Sequence, residues 1–118
     1  MSGPFAHTVR VYWEDTDAGG VVFYANYLKY FERARTEWLR AAGFGQEQLR
    51  SELGLMFVVA DTALRYLRPA RLDDELTITV EPEAPRGASL GLAQSASRGA
   101  ATLVDSRITI ACVDAATL

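Results

Sequence analysis

A segment of strand-like alternation that breaks into an acidic, glycine-bearing loop, which then opens directly into a long amphipathic helix, restricts this chain more than any other feature. Across residues 7–13, Val9, Val11 and Trp13 fall on one side and Thr8, Arg10 and Tyr12 on the other, the period of a half-buried strand. Glu14, Asp15, Thr16, Asp17, Ala18, Gly19 and Gly20 end that period with loop chemistry. Asn26 is the expected N-cap, since its side chain can accept from the orphan N–H groups of a helix. From 27 to 42, Tyr27, Phe31, Ala34, Trp38 and Leu39, with Tyr30 and Ala41 beside them, make one broad apolar face. Gly43 suits the position just past the helix end.

The C-terminal two-thirds of the chain supplies a surface to cover that face. A second, shorter helix is expected over 46–53, stopped by Gly54. Residues 57–67 are rich in β-branched and apolar types, Leu76, Ile78 and Val80 alternate with polar neighbours, and 89–97 and 102–113 read as two further strands. Arg98-Gly99 is a tight connection of the hairpin kind. Short turns between consecutive strands make antiparallel pairs. One long helix laid on an antiparallel sheet defines an α+β fold, expected to occupy residues 1–118 as a single domain.

Composition removes several function classes. The 118 residues carry a net charge of -3, with pI near 5.1, which argues against general nucleic-acid binding. No apolar run approaches the roughly 18 residues of a membrane span. The N-terminal sequence lacks a basic region followed by an apolar stretch, so a cytoplasmic location is expected. Cys112 stands alone in the run Ile108 to Val113 and reads as a small buried hydrophobe. His7 is the only histidine, so neither a thiol–imidazole pair nor a His/Cys metal set is expected.

The remaining chemistry gathers at the loop. Asp17 lies a few residues before the positive end of a helix dipole. That arrangement suits a carbonyl whose oxygen becomes negative while a carboxylate acts as base or nucleophile. The plainer reading of Asp17 is a turn aspartate. Asp15 has two readings as well: a second carboxylate that shifts a neighbour's pKa, or a solvated or backbone-bonded residue at a strand end, which its turn propensity favours. Gly19 and Gly20 have no side chain to obstruct a ligand approaching the backbone. Glu32 reads as structural, paired either with Arg35, at a spacing that permits it, or with a group across a dimer. Tyr27, Phe57 and Trp13 read equally as pocket or core aromatics.

Tyr-Trp-Glu-Asp-Thr-Asp-Ala-Gly-Gly-Val-Val-Phe-Tyr-Ala-Asn-Tyr, followed by Tyr-Phe-Glu-Arg-Ala-Arg-Thr-Glu-Trp-Leu, resembles the 4-hydroxybenzoyl-CoA thioesterase type of hotdog-fold proteins. Within that type the likeness is to bacterial acyl-CoA thioesterases associated with the Tol-Pal system, and it extends over about residues 5–113. The resemblance implies an antiparallel sheet wrapped around one long central helix, and hydrolysis of an acyl-CoA to a free acid and CoA. It implies Asp17 as nucleophile or general base, and the backbone N–H of Tyr24 as the group that polarises the thioester carbonyl. Tyr24 stands where Tol-Pal-associated members often carry histidine, which leaves the acyl preference open. Substrate contacts are expected from Gly19, Gly20, Tyr27, Phe57, Arg86 and Ser89, with Arg86 near the CoA nucleotide and Arg68 and Arg71 as weaker candidates. No metal or cofactor is implied, coenzyme A being part of the substrate. Protomers are expected to pair edge to edge into dimers or tetramers with sites between them, and association with lipid-metabolism or acyl-carrier proteins is left open. Two other readings stand beside this one: a non-catalytic acyl-CoA or acyl-carrier binding module, and a hotdog dehydratase, which would need a histidine near the acid.

Overall fold

The computed structural model describes residues 4–118. Five strands, β1 (Phe5–Arg10), β2 (Leu55–Tyr66), β3 (Glu75–Pro82), β4 (Ser89–Arg98) and β5 (Ala101–Asp114), form one antiparallel sheet in the order β1-β3-β4-β5-β2. The long helix α1 (Tyr27–Ala41) crosses this sheet, and the short helix α2 (Gln46–Gln48) continues through a wider turn, Leu49–Leu53. This is the α+β arrangement that the helix-then-strands pattern predicts.

The period of each element explains its seating. On β3, Leu76, Ile78 and Val80 are fully buried and alternate with more exposed neighbours. On β4 the same alternation buries Leu92, Gln94 and Ala96. Against them α1 presents Tyr27, Tyr30, Phe31, Ala34 and Leu39, the expected face, although Trp38 is only half-buried and Ala41 is exposed. Full burial of one such large side chain contributes about 1.5–3 kcal/mol.

Polar contacts fix the helix on the sheet. Gln94 is buried; its amide donates to the Phe31 carbonyl at 3.1 Å and the Thr79 carbonyl at 3.3 Å, and its oxygen accepts from Arg35 at 3.0 Å. Arg35 therefore faces the sheet and not Glu32; no Glu32–Arg35 ion pair forms among the described residues, and Glu32 accepts from Thr36 at 2.5 Å. The expected pair fails because the sheet offers Arg35 a better-placed acceptor than its own helix surface does.

The helix ends differ from each other. At the C-terminus Gly43 has φ +93°, and the Phe44 and Gly43 N–H groups reach the Leu39 and Arg40 carbonyls at 2.8 and 3.0 Å, a Schellman closure. At the N-terminus Asn26 does precede α1, but its side chain makes no capping bond. Its amide goes to Asp15 instead.

Candidate active site

β1 ends at Arg10, sooner than the alternation suggests, because the Asp15 side chain captures the backbone. Asp15 Oδ2 accepts from the Tyr12 N–H at 2.8 Å, and residues Trp13–Asp15 close into a 3-10 turn. The turn throws Trp13 outward: it is 81% exposed, not packed with Val9 and Val11. Period two fails at Trp13 because a side-chain acceptor competes with the ladder for its neighbour's N–H.

The segment from Thr16 to Val22 doubles back on itself. Thr16 and Val22 bridge, the Asp17 N–H donates to the Val21 carbonyl at 2.9 Å, and the Gly20 N–H donates to the Asp17 carbonyl at 3.0 Å. Gly20 has φ +79°, a conformation that a side chain would strain. The Asp17 side chain is exposed, with Oδ1 accepting from the Gly19 N–H at 2.8 Å. A Cβ on Gly19 would sit 3.2 Å from that oxygen. One carboxylate oxygen is thus fixed by the loop, and Oδ2 makes no hydrogen bond among the described residues.

After the loop, Phe23 leads into a 3-10 turn, Tyr24–Asn26, which runs straight into α1. The opening N–H groups of such a turn have no partner within it, and the Tyr24 N–H has no acceptor among the described residues. The Tyr24 carbonyl accepts from the Tyr66 hydroxyl at 2.9 Å, which ties the turn to the end of β2. Val22, Tyr24, Tyr27, Tyr66, Leu67 and Pro69, with Arg68 at the rim, line a cavity of about 300 Å³. The Tyr24 and Tyr66 rings meet edge-on with centroids 6.4 Å apart. Burial raises the hydroxyl pKa of both Tyr66 and Tyr27 above the ordinary tyrosine value.

Asp17, Gly19, Gly20 and Tyr24 are therefore gathered on one loop–turn unit. Tyr27 joins it from within the core: it is 2% exposed, and its hydroxyl accepts the Ala70 N–H at 3.1 Å. Phe57 lies elsewhere, on β2, lining a cavity of about 180 Å³ with Glu32, Arg35, Leu39, Val59 and Ile110, to which the loop contributes nothing. Arg86 and Ser89 close the hairpin before β4, exchanging backbone bonds of 2.9 and 3.0 Å, and border a third cavity beside the Glu83–Arg107 ion pair. Arg71 bridges Val21 through the backbone. His7 sits opposite Ile78 in the β1–β3 ladder, outside the loop unit. Within one chain the expected substrate contacts therefore form three separate groups.

Two features have no clear signal in the sequence. Tyr66 reads only as a strand aromatic. Asp15 is 5% exposed and fully engaged, which fits the backbone-bonded reading but not a solvated strand end. Burial pushes its carboxyl up, but the Tyr12 N–H, the Tyr30 hydroxyl, the Asn26 amide and the Arg33 charge outweigh that and hold it below the usual aspartate value.

Comparison with known proteins gives this geometry a context. Residues 11–117 match the family model of the thioesterase-like superfamily. The acyl-CoA thioesterase YbgC of Haemophilus influenzae is 46% identical over 114 residues, covering 97% of this chain and 84% of that protein. The acyl-CoA thioester hydrolase YbgC of an Escherichia coli O6:H1 strain is 46% identical over 111 residues, covering 93% and 82%. A crystal structure of a probable thioesterase from Bartonella henselae superposes with TM-score 0.91 at 36% identity, covering 95% of this chain and 93% of that one. The chain belongs to the thioesterase-like superfamily, which places it among thioester hydrolases of the hotdog fold.

Proposed function

We propose that the protein hydrolyses acyl-CoA thioesters, with Asp17 as the acidic catalyst and the Tyr24 N–H as the oxyanion donor. The observation that carries this is the loop–turn unit: an exposed carboxylate with one oxygen pinned at 2.8 Å by Gly19, continuous with an unpartnered N–H at a helix entrance. Relatives 46% identical bear the name acyl-CoA thioesterase. An N–H at that position is already oriented when charge develops on the carbonyl oxygen, so little reorganisation is required. Asp17 Oδ2 then either attacks the carbonyl carbon or draws the proton from an attacking water. No metal or cofactor enters this scheme.

The acyl group is assigned to the cavity of about 300 Å³ beside Tyr24, whose Val22, Tyr27, Tyr66 and Leu67 walls offer apolar surface next to the carbonyl site. Arg86 is assigned to a CoA phosphate; it has no ion-pair partner among the described residues, whereas the neighbouring Arg107 is neutralised by Glu83 at 2.5 Å. Phe57 reaches a substrate through a second copy of the chain. β2 is paired with β5 alone, which leaves a twelve-residue strand with a free edge. The radius of gyration of 15.0 Å exceeds the roughly 13.5 Å expected of a compact chain this long, as for half of a larger body. A dimer joined along β2, alone or doubled into a tetramer, is the assembly in which the proposed site is whole.

Free-thiol release from a panel of short, long and aromatic acyl-CoAs tests the proposal, with Asp17→Asn alongside. The exposed Asp17 contributes little to the core, so Asp17→Asn is expected to keep its circular dichroism spectrum and lose about 100-fold or more in kcat, the scale of a lost acid–base group. Full turnover by that variant would end the assignment.

A further inference from the structure

Behind the exposed catalytic aspartate lies a second one that the proposed chemistry does not use. Asp15 is 5% exposed and Asn26 is 7% exposed, and the two are joined by a bond of 3.0 Å from Asn26 Nδ2 to Asp15 Oδ1. The other oxygen, Oδ2, takes the Tyr12 N–H at 2.8 Å. The Asp15 backbone is equally engaged, its N–H donating to the Tyr12 carbonyl at 3.0 Å and its carbonyl accepting from the Phe23 N–H at 2.9 Å. The Tyr30 hydroxyl, fully buried, lies against the same carboxylate without a hydrogen bond of normal geometry. One residue thus grips the strand before the loop, the residue just before Tyr24, and the residue that opens α1.

We infer that Asp15 is a positioning residue which, through Asn26 and Phe23, holds the Asp17 loop in register with the Tyr24 N–H. The geometry makes this a coupling and not merely a buried ion. Phe23 precedes and Asn26 closes the 3-10 turn that carries the oxyanion donor, and Tyr12 and Asp15 set the start of the loop that carries the carboxylate. Without the Asp15 carboxylate, the direct side-chain tie between the start of the loop and Asn26 is gone, and the two are held by backbone contacts, among them Phe23 to Asp15 and Thr16 to Val22. A displacement of about 1 Å between reacting groups is enough to cost roughly 100-fold in rate. Binding of CoA, in contrast, is remote from this link. The inference rests on the thioesterase reading for its kinetic consequence, but not for its structural one.

Both consequences are measurable. In Asp15→Asn the replacement amide keeps its oxygen for Tyr12 and turns a donor toward Asn26, which must rotate its own amide to accept it, so the charge-assisted link is lost without a change of size. The expected result is a fall of at least tenfold in kcat, with KM within about twofold of wild type. Amide hydrogen exchange should quicken at Asp17 and Phe23 while β4 and β5 stay protected. In the double variant D15N/N26D the donor and acceptor are exchanged, the link can re-form, and kcat and protection are expected to recover most of what was lost. Unchanged kcat and exchange in D15N would overturn the inference, as would exchange that rises uniformly through the sheet, or a double variant no better than the single. Should D15N not fold, Asn26→Ala breaks the same link from the other side, with the same outcomes deciding. Wild-type protein inactive on every acyl-CoA would overturn the thioesterase reading alone, since the exchange arm needs no substrate.

Discussion

Tyr30 shows how a single hydroxyl sets a pH limit on the molecule. It is fully buried, and burial together with the adjacent Asp15 carboxylate raises its pKa well above the ordinary tyrosine value. The folded state therefore keeps its proton when the unfolded chain has lost it. The contribution of Tyr30 to stability is then fully present below about pH 10, the unfolded tyrosine value, and is lost as pH rises beyond it, because the native state binds more protons. Urea unfolding from pH 7 to 11 is expected to show this decline, and Tyr30→Phe is expected to reduce it, leaving the share that Tyr27 and Tyr66 contribute. At pH 7 Tyr30→Phe should be neutral or stabilising by up to about 1 kcal/mol, since the hydroxyl it removes is buried without a hydrogen bond. A destabilised Tyr30→Phe at neutral pH would mean that the hydroxyl is a true partner of Asp15.

At the scale of elements, α1 is joined to the sheet by Gln94 as well as by apolar contact. Gln94→Leu preserves volume but leaves the half-buried Arg35 guanidinium and the Thr79 carbonyl without this partner. The expected loss is about 1–3 kcal/mol in urea unfolding with the slope unchanged. The sequence is most readable at this scale. The apolar face of α1, Gly43 past its end and the alternation on β3 are periodic or stereochemical signals, and they sit as read apart from the half-buried Trp38 and the exposed Ala41. Legibility fails where a side chain competes with the backbone. Asp15 ends β1 early and turns Trp13 out, and Asn26 gives its amide to Asp15 instead of capping α1. The Asp15–Asn26 bond spans no sequence period, and the Tyr12–Asp15 bond has capping-box spacing but lacks the Ser or Thr that would mark it in the sequence. Asp17, Gly19, Gly20 and Tyr24 are legible as a group because they are contiguous, whereas the distance of Phe57 and Arg86 from them is a property of topology.

Among the described residues β2 carries an unpaired edge that bears on the whole molecule, and Val59 on it is 50% exposed. Val59→Lys places a charge where the proposed second copy would pair, a device by which natural edge strands resist association. Light scattering is expected to find this variant monomeric, and its specific activity should fall if Phe57 acts across the interface. A monomer with full activity would place the entire site within one chain.

The free edge is not uniform. Val59 faces Ile110 and Asp61 faces Thr109, so Ala60 has no partner on β5 and the strand is kinked at its middle. A kinked edge presents its donors and acceptors out of step on either side of the bulge. A straight extended peptide, or the growing end of a fibril, can match only one half of it, whereas a second β2 running antiparallel carries a kink of its own to set against it. In the proposed dimer the bulge would work as a key as much as a bend, leaving this long, partly apolar strand open to a second β2 while closing it to the indiscriminate stacking that open edges invite.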